Sequence, residues 1–310
     1  MQEVRVAGRT ARFGTSLRLW WRLGRPVTLT ASVVPVLVGG SLAAHRGSFD
    51  VLNGLLLLVG SLLVQVATNI FNEYYDYRRG VDTPESVGIA GVIVEGQVRP
   101  EAVLRGGVVC FVVAFVLGLW LVARTGWPVL AAGLLSALAA WAYSGGPRPI
   151  ASTPFGEVEV FVFMGLVQVG LGYFVHAGRL DWSVLWAALP VGLLVAAILL
   201  TNNLRDMDGD AARGRRTLPI VLGRTAGLGV LAAMLGAAYL LPTLGVALGI
   251  LPWQTLLVWA TVVLAPGVVR PFTTTTVPKA LNVGLRRAAL LHLRFGIAFS
   301  LGFLTAAFMG

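Results

Sequence analysis

Acidic and amide side chains are concentrated in two short stretches of a chain that has only 14 Asp and Glu in 310 residues. We call residues 69–82 motif 1 and residues 202–210 motif 2. Their oxygen-bearing side chains include Asn69, Asn72, Glu73, Asp76 and Asp82 in motif 1 and Asn202, Asp206 and Asp210 in motif 2. Hard oxygen ligands of this kind suit Mg²⁺, which keeps several waters and joins one or two carboxylates to substrate phosphates. The two motifs are therefore candidates for one shared site for magnesium and a diphosphate.

The spacing within each motif is that of a helix, in which residues three or four apart lie on one face. A helix that continues through motif 1 presents one face made of Asn69, Asn72 or Glu73, and Asp76. A helix through motif 2 stacks Asn202, Asp206 and Asp210. Each motif then carries a stripe of oxygen atoms, and two stripes that face each other could hold metal ions on both sides of a diphosphate.

Arginine side chains accompany motif 2 and could bind the same ligand. Arg205 lies inside the motif, and Arg213, Arg215 and Arg216 follow it closely. Guanidinium groups bind phosphate oxygens through paired hydrogen bonds, while metal ions neutralise the remaining charge. A single charged stretch at a membrane surface is commonly a solvated loop. Two acidic motifs, each with an asparagine near the end of the adjoining apolar run, favour a functional interior instead, because amides are costly in lipid.

The composition places these motifs in a membrane protein. The chain is 56% hydrophobic and only 12% charged, with a mean hydropathy of +0.80, whereas a soluble domain is about 25% charged. Nine apolar runs approach the length of a membrane-spanning helix, and they cover approximately residues 27–44, 52–71, 106–123, 128–143, 158–176, 182–200, 226–244, 253–269 and 295–309. The fourth and ninth runs are short, so eight spans is the alternative.

Continuous apolar runs favour helix over strand, because each span in lipid must satisfy its own backbone hydrogen bonds. The 38 glycines lie largely within the runs, where small residues let helices approach closely. We therefore predict an all-α polytopic bundle of about nine transmembrane helices around a central cavity. Residues 27–310 form its single transmembrane domain, preceded by a basic interfacial segment at residues 1–26 that carries Leu, Trp and Arg side chains.

The positions of the basic residues predict how these spans are oriented across the membrane. The net charge is +10, but the 24 Lys and Arg are spread between the spans rather than gathered on a soluble face, so nucleic acid is not a predicted partner. With a cytoplasmic N-terminus and nine spans, only Arg46, Arg124 and Arg179 fall outside. The positive-inside rule thus predicts a multi-pass protein of the cell inner (plasma) membrane, with the N-terminus and both motifs cytoplasmic.

Other chemistries and architectures have less support. Cys110 is the only cysteine, and the three histidines are scattered, so neither a disulfide nor a zinc or haem site is indicated. A multi-span transporter is an alternative, since prolines within the runs could break helices around a midplane site, but the acids lie at loop ends. A soluble enzyme that uses paired Asp motifs with Mg²⁺ would need polar outer helix faces, which these runs lack.

The motifs resemble those of the UbiA superfamily of intramembrane prenyltransferases, whose first motif has the form Asn-Asp-x-x-Asp-x-x-x-Asp and whose second is Asp-x-x-x-Asp. Asn72, Glu73, Asp76 and the pair Asp206 and Asp210 match this pattern. The chain looks most like the menaquinone branch, the MenA-type 1,4-dihydroxy-2-naphthoate polyprenyltransferases. This closer likeness rests on residues 25–29 with 35–39, 143–149 with 156–157, and 202–206 with 216–218.

The resemblance implies a role for each matching residue. Asn72, Asp76, Asp206 and Asp210 would hold Mg²⁺ and the diphosphate. Basic contacts to the diphosphate would come from Arg205, from Arg215 or Arg216, and from Arg148. Wall residues would be Asn69, Asn202 and Tyr143. Glu73 departs from the usual Asp and Gly80 from the final Asp of the general motif, and Asp82 stands as the replacement ligand.

The resemblance also implies the substrates, namely a polyprenyl diphosphate and an aromatic acceptor within the lipid bilayer. An apolar cavity would shield an allylic carbocation from water until an electron-rich ring attacks it. In the naphthoate branch, this transfer is coupled to loss of the ring carboxylate in menaquinone biosynthesis. Residues 148–154 depart from the branch, which commonly has an aromatic and Gly-rich continuation there. A different aromatic or lipid acceptor is therefore the alternative.

Overall fold

The structure is a computed structural model that describes residues 13–83, 90–145 and 149–309, with side chains from residue 17 onward. Within these ranges, nine helices are long and apolar enough to cross a membrane. We name them in chain order α1 Thr30–His45, α2 Val51–Arg78, α3 Pro100–Thr125, α4 Trp127–Ser144, α5 Gly156–Ala177, α6 Trp182–Ala212, α7 Arg224–Ala247, α8 Trp253–Thr274 and α9 Pro278–Met309. The predicted all-α membrane bundle of nine spans is confirmed.

Two of the spans depart from regular α-helix. In α5, a π-helical segment at Phe161–Val167 separates two α-helical segments. In α8, a 3₁₀ segment at Trp253–Leu264 precedes the α-helical end. π segments widen the helix locally and are frequent at functional sites. The one in α5 borders the cavity described below.

Helix α6 forms the centre of the bundle. Of its most apolar window, 72% is buried inside the protein, against 17% for α3 and 11% for α4. The core packs α6 against α1, α5, α7, α8 and α9, with Tyr173, Phe295 and Phe303 among its largest fully buried side chains. The apolar outer faces of α3 and α4 are left for lipid, which removes any need for a polar surface there.

Helices α2 and α6 extend past the ends of their apolar runs. The runs end near Phe71 and Leu200, whereas the helices end at Arg78 and Ala212. Most of motif 1 and all of motif 2 are therefore helical, which satisfies the condition under which each motif forms a stripe. Helix α9 likewise begins at Pro278 rather than near Phe295, because a helix can carry arginines in the turns outside the apolar run.

The N-terminal chain forms a short helix at Phe13–Leu23. Leu17 and Trp21 are exposed there, while Leu23 is fully buried. An amphipathic helix with arginines on one side and exposed Trp on another suits a membrane interface. Residues 1–12 lie outside the described residues, and the boundary of an interfacial segment at residue 26 stays a prediction.

Close helix packing depends on glycine where α1 crosses α5. A Cβ atom at Gly39 would lie 2.4 Å from the carbonyl oxygen of Val169 and 2.7 Å from the amide nitrogen of Tyr173. Both are backbone atoms, which cannot rotate away. The contact between α1 and α5 therefore excludes any larger residue at position 39.

We predict that Gly39→Ala destabilises the protein by about 1–3 kcal/mol, because it forces these two helices apart. The measurement is the thermal unfolding midpoint of purified protein in detergent. Gly236→Ala in α7 is the matched control, since a Cβ there meets nothing within 4 Å and alanine favours helix by up to about 1 kcal/mol. Equal midpoints for the two variants would contradict the packing argument.

Candidate active site

A cavity of about 800 Å³ lies among the helices beneath the two motifs. Most of its wall is aliphatic and aromatic, and it is contributed mainly by α2, α3, α4, α5 and α6. Its polar lining includes Asn69, Asn72, Tyr143, Asn202, Arg205 and Asn282. An apolar chamber with a few polar groups at one end suits a ligand that has a hydrocarbon chain and a charged head.

Arg215 joins the two acidic motifs. One of its terminal nitrogens, Nη2, lies 3.8 Å from Asp76 in motif 1, and the other, Nη1, lies 3.2 Å from Asp210 in motif 2. All three side chains are largely buried. Because two carboxylates brought this close repel each other, the guanidinium between them stabilises the facing arrangement. The structure thus brings the ends of α2 and α6 together at one charged centre.

A tight turn after α6 aims Arg215 at this centre. Gly214 adopts a φ of 78°, a left-handed conformation that favours glycine. The backbone amide of Arg215 donates to the carbonyl of Asp210 at 3.0 Å, and that of Arg216 donates to the carbonyl of Ser152 at 3.0 Å. Arg216 is left exposed. Of the two candidate arginines, only Arg215 faces both motifs.

Asn69 and Asn72 tie α2 to its neighbours. The Asn69 side-chain amide donates to the carbonyl of Gly24 at 2.9 Å and to the hydroxyl of Thr28 at 3.0 Å, which anchors α2 to the chain entering α1. The amide oxygen of Asn72 accepts a hydrogen bond from the Ser144 hydroxyl at the end of α4. Both asparagines border the cavity, so each can also contact a ligand there.

Glu73 is turned away from motif 2. It is only 2% exposed, accepts a hydrogen bond from the backbone amide of Ala90 at 3.1 Å, and lies 3.6 Å from Arg25. Its carboxylate therefore holds the chain around residue 90 against α2 and the start of α1. A role for Glu73 as a metal ligand stays a prediction, and in this arrangement it would require a change of partners.

Asp82 lies where the chain turns back over the end of α2. Its backbone amide donates to the carbonyl of Asp76 at 3.3 Å. Its Oδ2 atom is buried, with no hydrogen-bond partner in the described parts of the chain. Burial, together with the neighbouring charge of Asp76, raises the pKa of Asp82 to about 7. A cation beside this oxygen would compensate both for the burial of the Asp82 carboxylate and for its repulsion by Asp76.

Arg205 organises motif 2 from within. Its guanidinium donates to Asp206 at 2.8 Å, to the amide oxygen of Asn202 at 2.8 Å, and to Asn282 of α9 at 2.9 Å. Arg205 is 2% exposed, and part of it faces the cavity. Sequence reasoning missed Asn282, although an amide near the start of an apolar helix is a signal that could have found it.

The donor chemistry of the two motifs fits Mg²⁺. No group of three or more His, Cys, Asp or Glu is close enough to hold a metal by itself in the described ranges. Mg²⁺ takes one or two carboxylates and completes its shell with water and phosphate oxygens, so separate carboxylates facing one space are sufficient. The unpartnered oxygen of Asp82 beside Asp76 is the observation that favours a cation here. Arg148 lies outside the described residues.

Comparison with known proteins identifies a family and its relatives. A sequence model of the UbiA prenyltransferase family matches residues 32–279. The chain is 37% identical over 309 residues to a 1,4-dihydroxy-2-naphthoate octaprenyltransferase of Bacillus subtilis (strain 168), which covers 99% of both chains. A protein of the same description from Haemophilus influenzae is 29% identical, over 93% of this chain and 96% of that one.

Solved structures share the fold. A UbiA homolog from Aeropyrum pernix K1 superimposes with a TM-score of 0.64 at 19% identity, over 90% of this chain and 97% of that one. A UbiA homolog from Archaeoglobus fulgidus bound to GPP and Mg²⁺ gives a TM-score of 0.62 at 16% identity, over 94% and 98% of the two chains. At these identities the likeness establishes the arrangement of the helices.

We predict that Arg215→Gln lowers stability by roughly 1–3 kcal/mol, because it leaves Asp76 and Asp210 without their shared cation. Arg216→Gln, the matched control, changes an exposed side chain and should have little effect. The measurement is the unfolding midpoint of each variant in EDTA and in Mg²⁺. Mg²⁺ should recover more of the loss in Arg215→Gln than it adds to the wild type. Equal midpoints for the two variants would contradict the bridging role.

Proposed function

Because the chain belongs to the UbiA prenyltransferase family, we propose that it transfers a polyprenyl group from its diphosphate to 1,4-dihydroxy-2-naphthoate, a step of menaquinone biosynthesis. The observation that carries the proposal is the pair of facing acidic motifs, joined by Arg215, above an apolar cavity of about 800 Å³. This arrangement offers one end for a diphosphate and one chamber for a hydrocarbon chain and a ring.

The choice of acceptor rests on similarity over the full length of the chain. The Bacillus subtilis and Haemophilus influenzae relatives carry the same description, and their alignments cover 99% and 93% of this chain, respectively. Residue 148 lies outside the described residues, and residues 149–154 do not line the cavity. The naphthoate is therefore a better supported acceptor than another ring or lipid.

Charge complementarity explains how the diphosphate would bind. Arg215 already lies between Asp76 and Asp210, and a diphosphate can take a place beside its guanidinium. Asn72, Asp76 and Asp82 from motif 1, with Asp206 and Asp210 from motif 2, are the residues that would hold Mg²⁺. When bound, Mg²⁺ neutralises the negative charge that grows on the leaving diphosphate. We propose from these donor residues that this chain also uses Mg²⁺, and the homolog bound to GPP and Mg²⁺ supports this proposal.

The cavity would control which molecule reacts with the prenyl carbocation once the bond between the prenyl group and the diphosphate breaks. An allylic carbocation reacts with water unless water is excluded, and most of the cavity lining is hydrocarbon. The polar residues Asn72, Tyr143 and Asn202 lie at the lining and could orient the departing group and the ring. The side chains of this protein thereby restrict the cation to one partner, the acceptor ring.

Helix ends supply the basis for a proposed orientation in the plasma membrane. Asp50 caps the start of α2 and pairs with Arg124 at the end of α3, so this end of the bundle is opposite motif 1. Arg46 and Arg179 follow the ends of α1 and α5, at that same end. The other described arginines and Lys279 lie toward the motif end, which we therefore assign to the cytoplasm.

The proposal predicts product from purified protein in detergent supplied with Mg²⁺, a labelled polyprenyl diphosphate and 1,4-dihydroxy-2-naphthoate. Prenylated product should form together with released CO₂, and EDTA should abolish both. Chromatography of the labelled lipid and trapping of CO₂ measure the two products. Product without CO₂, or product only from a different ring, would contradict the proposed acceptor while leaving prenyl transfer in place.

Substitution of motif carboxylates tests the site itself. Asp76→Asn and Asp206→Asn should each lower turnover by at least about 100-fold, because each removes a charge that serves the diphosphate site. Asp208→Asn is the matched control, since Asp208 lies in motif 2 but is 75% exposed and pairs only with Arg224 among the described residues. It should retain activity within a few-fold. Near-normal turnover in Asp76→Asn would refute the assignment.

A further inference from the structure

Glu159 is an ionisable residue in the wall of the cavity that the acidic site does not use. It lies in the first turns of α5, within a membrane-spanning helix. Its Oε2 atom is buried and has no hydrogen-bond partner in the part of the chain that the structure describes. A carboxyl group without a partner at membrane depth is costly, and such residues generally serve a substrate.

The π segment keeps Glu159 and the rest of its helix face directed at the cavity. The residues of α5 that line the cavity are Glu159, Val160, Phe163, Met164, Val167, Gln168 and Leu171. They recur every four residues, whereas a regular helix of 3.6 residues per turn would rotate such a stripe by about 40° at each step. The wider turn at Phe161–Val167 offsets that drift. The backbone of α5 is therefore adapted to a continuous cavity wall that begins at Glu159.

Glu159 lies at the polar end of the cavity. Its carboxyl is within electrostatic range of the Tyr143 phenol, and so are Glu157, Asp76 and Arg215. Asn202 borders the same cavity. The next cavity-lining residues along α5 are Phe163 and Met164, whose surfaces suit a flat ring or a hydrocarbon chain. A ligand beside Glu159 would thus lie next to the acidic site and against apolar walls.

Glu157, two residues earlier, has a different environment. It is 2% exposed and does not line the cavity. Its Oε2 atom, like that of Glu159, is buried with no hydrogen-bond partner among the described residues, but its Oε1 atom accepts a hydrogen bond from the side-chain amide of Asn203 at 2.9 Å, which ties α5 to α6. The two glutamates therefore share a helix, a charge and a depth, but only Glu159 faces the space where substrates would react.

We propose that Glu159 binds a ring hydroxyl of the acceptor through its carboxylate, an inference that rests on the proposed function. Among the substrates, only the acceptor can serve as this partner. Neither a prenyl chain nor an ionised diphosphate has a hydrogen-bond donor to offer a carboxylate. A dihydroxynaphthoate carries two O–H donors on a flat apolar ring.

This contact has two consequences for the reaction. It fixes the ring in one orientation against α5, which selects the carbon atom that meets the prenyl cation. In its ionised form the carboxylate also places negative charge beside the ring oxygen, which increases the electron density that the ring offers to a cation. Both effects concern the acceptor alone, so they leave binding of the diphosphate at Arg215 unchanged.

The test compares two probes that differ only in the hydroxyl groups, 1,4-dihydroxy-2-naphthoate kept reduced and 2-naphthoate. Binding is measured by titration calorimetry on the purified protein in detergent with Mg²⁺ and inorganic diphosphate. Glu159→Gln should weaken binding of the dihydroxy compound by roughly 10- to 100-fold, the range for a hydrogen bond to a charged group. Binding of 2-naphthoate should stay within twofold, which also verifies that the cavity is folded.

Glu157→Gln is the matched control and should leave both affinities unchanged. Glu159→Asp, which retains the charge, should recover part of the lost affinity. Equal weakening of both probes by Glu159→Gln, or no weakening of either, would overturn the inference. Failure of the wild type to bind the dihydroxy compound would instead overturn the proposed acceptor.

A second measurement needs no variant. In the wild-type protein, 1,4-dimethoxy-2-naphthoate keeps both ring oxygens but has no O–H to donate. It should bind at least about tenfold more weakly than the dihydroxy compound, and 1,4-diethyl-2-naphthoate, which has the same bulk and no ring oxygens, measures how much of that loss is due to size. Equal affinity of the dimethoxy and dihydroxy compounds would overturn the proposed contact, even if Glu159→Gln did not fold.

Discussion

The mutual repulsion of Asp76 and Asp210 is the constraint around which this bundle is arranged. Two carboxylates at the ends of two long helices come together only if positive charge lies between them, and Arg215 provides it at 3.8 and 3.2 Å. Placing that arginine requires the turn at Gly214 and the contact with Ser152. The helix ends, the turn and the loop after α4 thus depend on one electrostatic centre. A diphosphate with its metal ions adds charges of both signs there. Arg215 can then pair with the diphosphate, and Asp76 and Asp210 with the metal ions, while positive and negative charge remain balanced.

The helices of the bundle fall into two groups, those that form its interior and those that face lipid. Helices α1, α6 and α9 are the most buried and form a rigid interior, whereas α3 and α4 present most of their surface to lipid and still contribute cavity wall. Lipid is as apolar as these side chains, so the outer helices gain little from burial and pack mainly through shape. A hydrocarbon substrate thus finds the same kind of surface inside the cavity as in the bilayer.

The sequence was sufficient for the class of fold because lipid permits few alternatives. Continuous apolar runs had to be helices, and all nine were found. The stripes at Asp76 and at Asp206 with Asp210 were predictable from spacing alone, since helical periodicity is local. Other features depend on tertiary contacts that no spacing encodes. The choice between Arg215 and Arg216 follows from the turn at Gly214, the partners of Glu73 follow from the fold of the chain near Ala90, and Asn282 meets Arg205 across 77 residues.

The π segment of α5 offers related proteins a way to change which side chains line the cavity. A π turn is equivalent to one extra residue accommodated within a helix. Substitutions that restored a regular helix at Phe161–Val167 without removing a residue would rotate everything before it by about 100° relative to the part that follows. The packing of Gln168–Ala177 on α1 could persist, while a different side chain replaced Glu159 at the cavity. Loss or gain of the π turn without a change in chain length is therefore a route by which related chains can change the ring they accept while keeping every side chain of the diphosphate site.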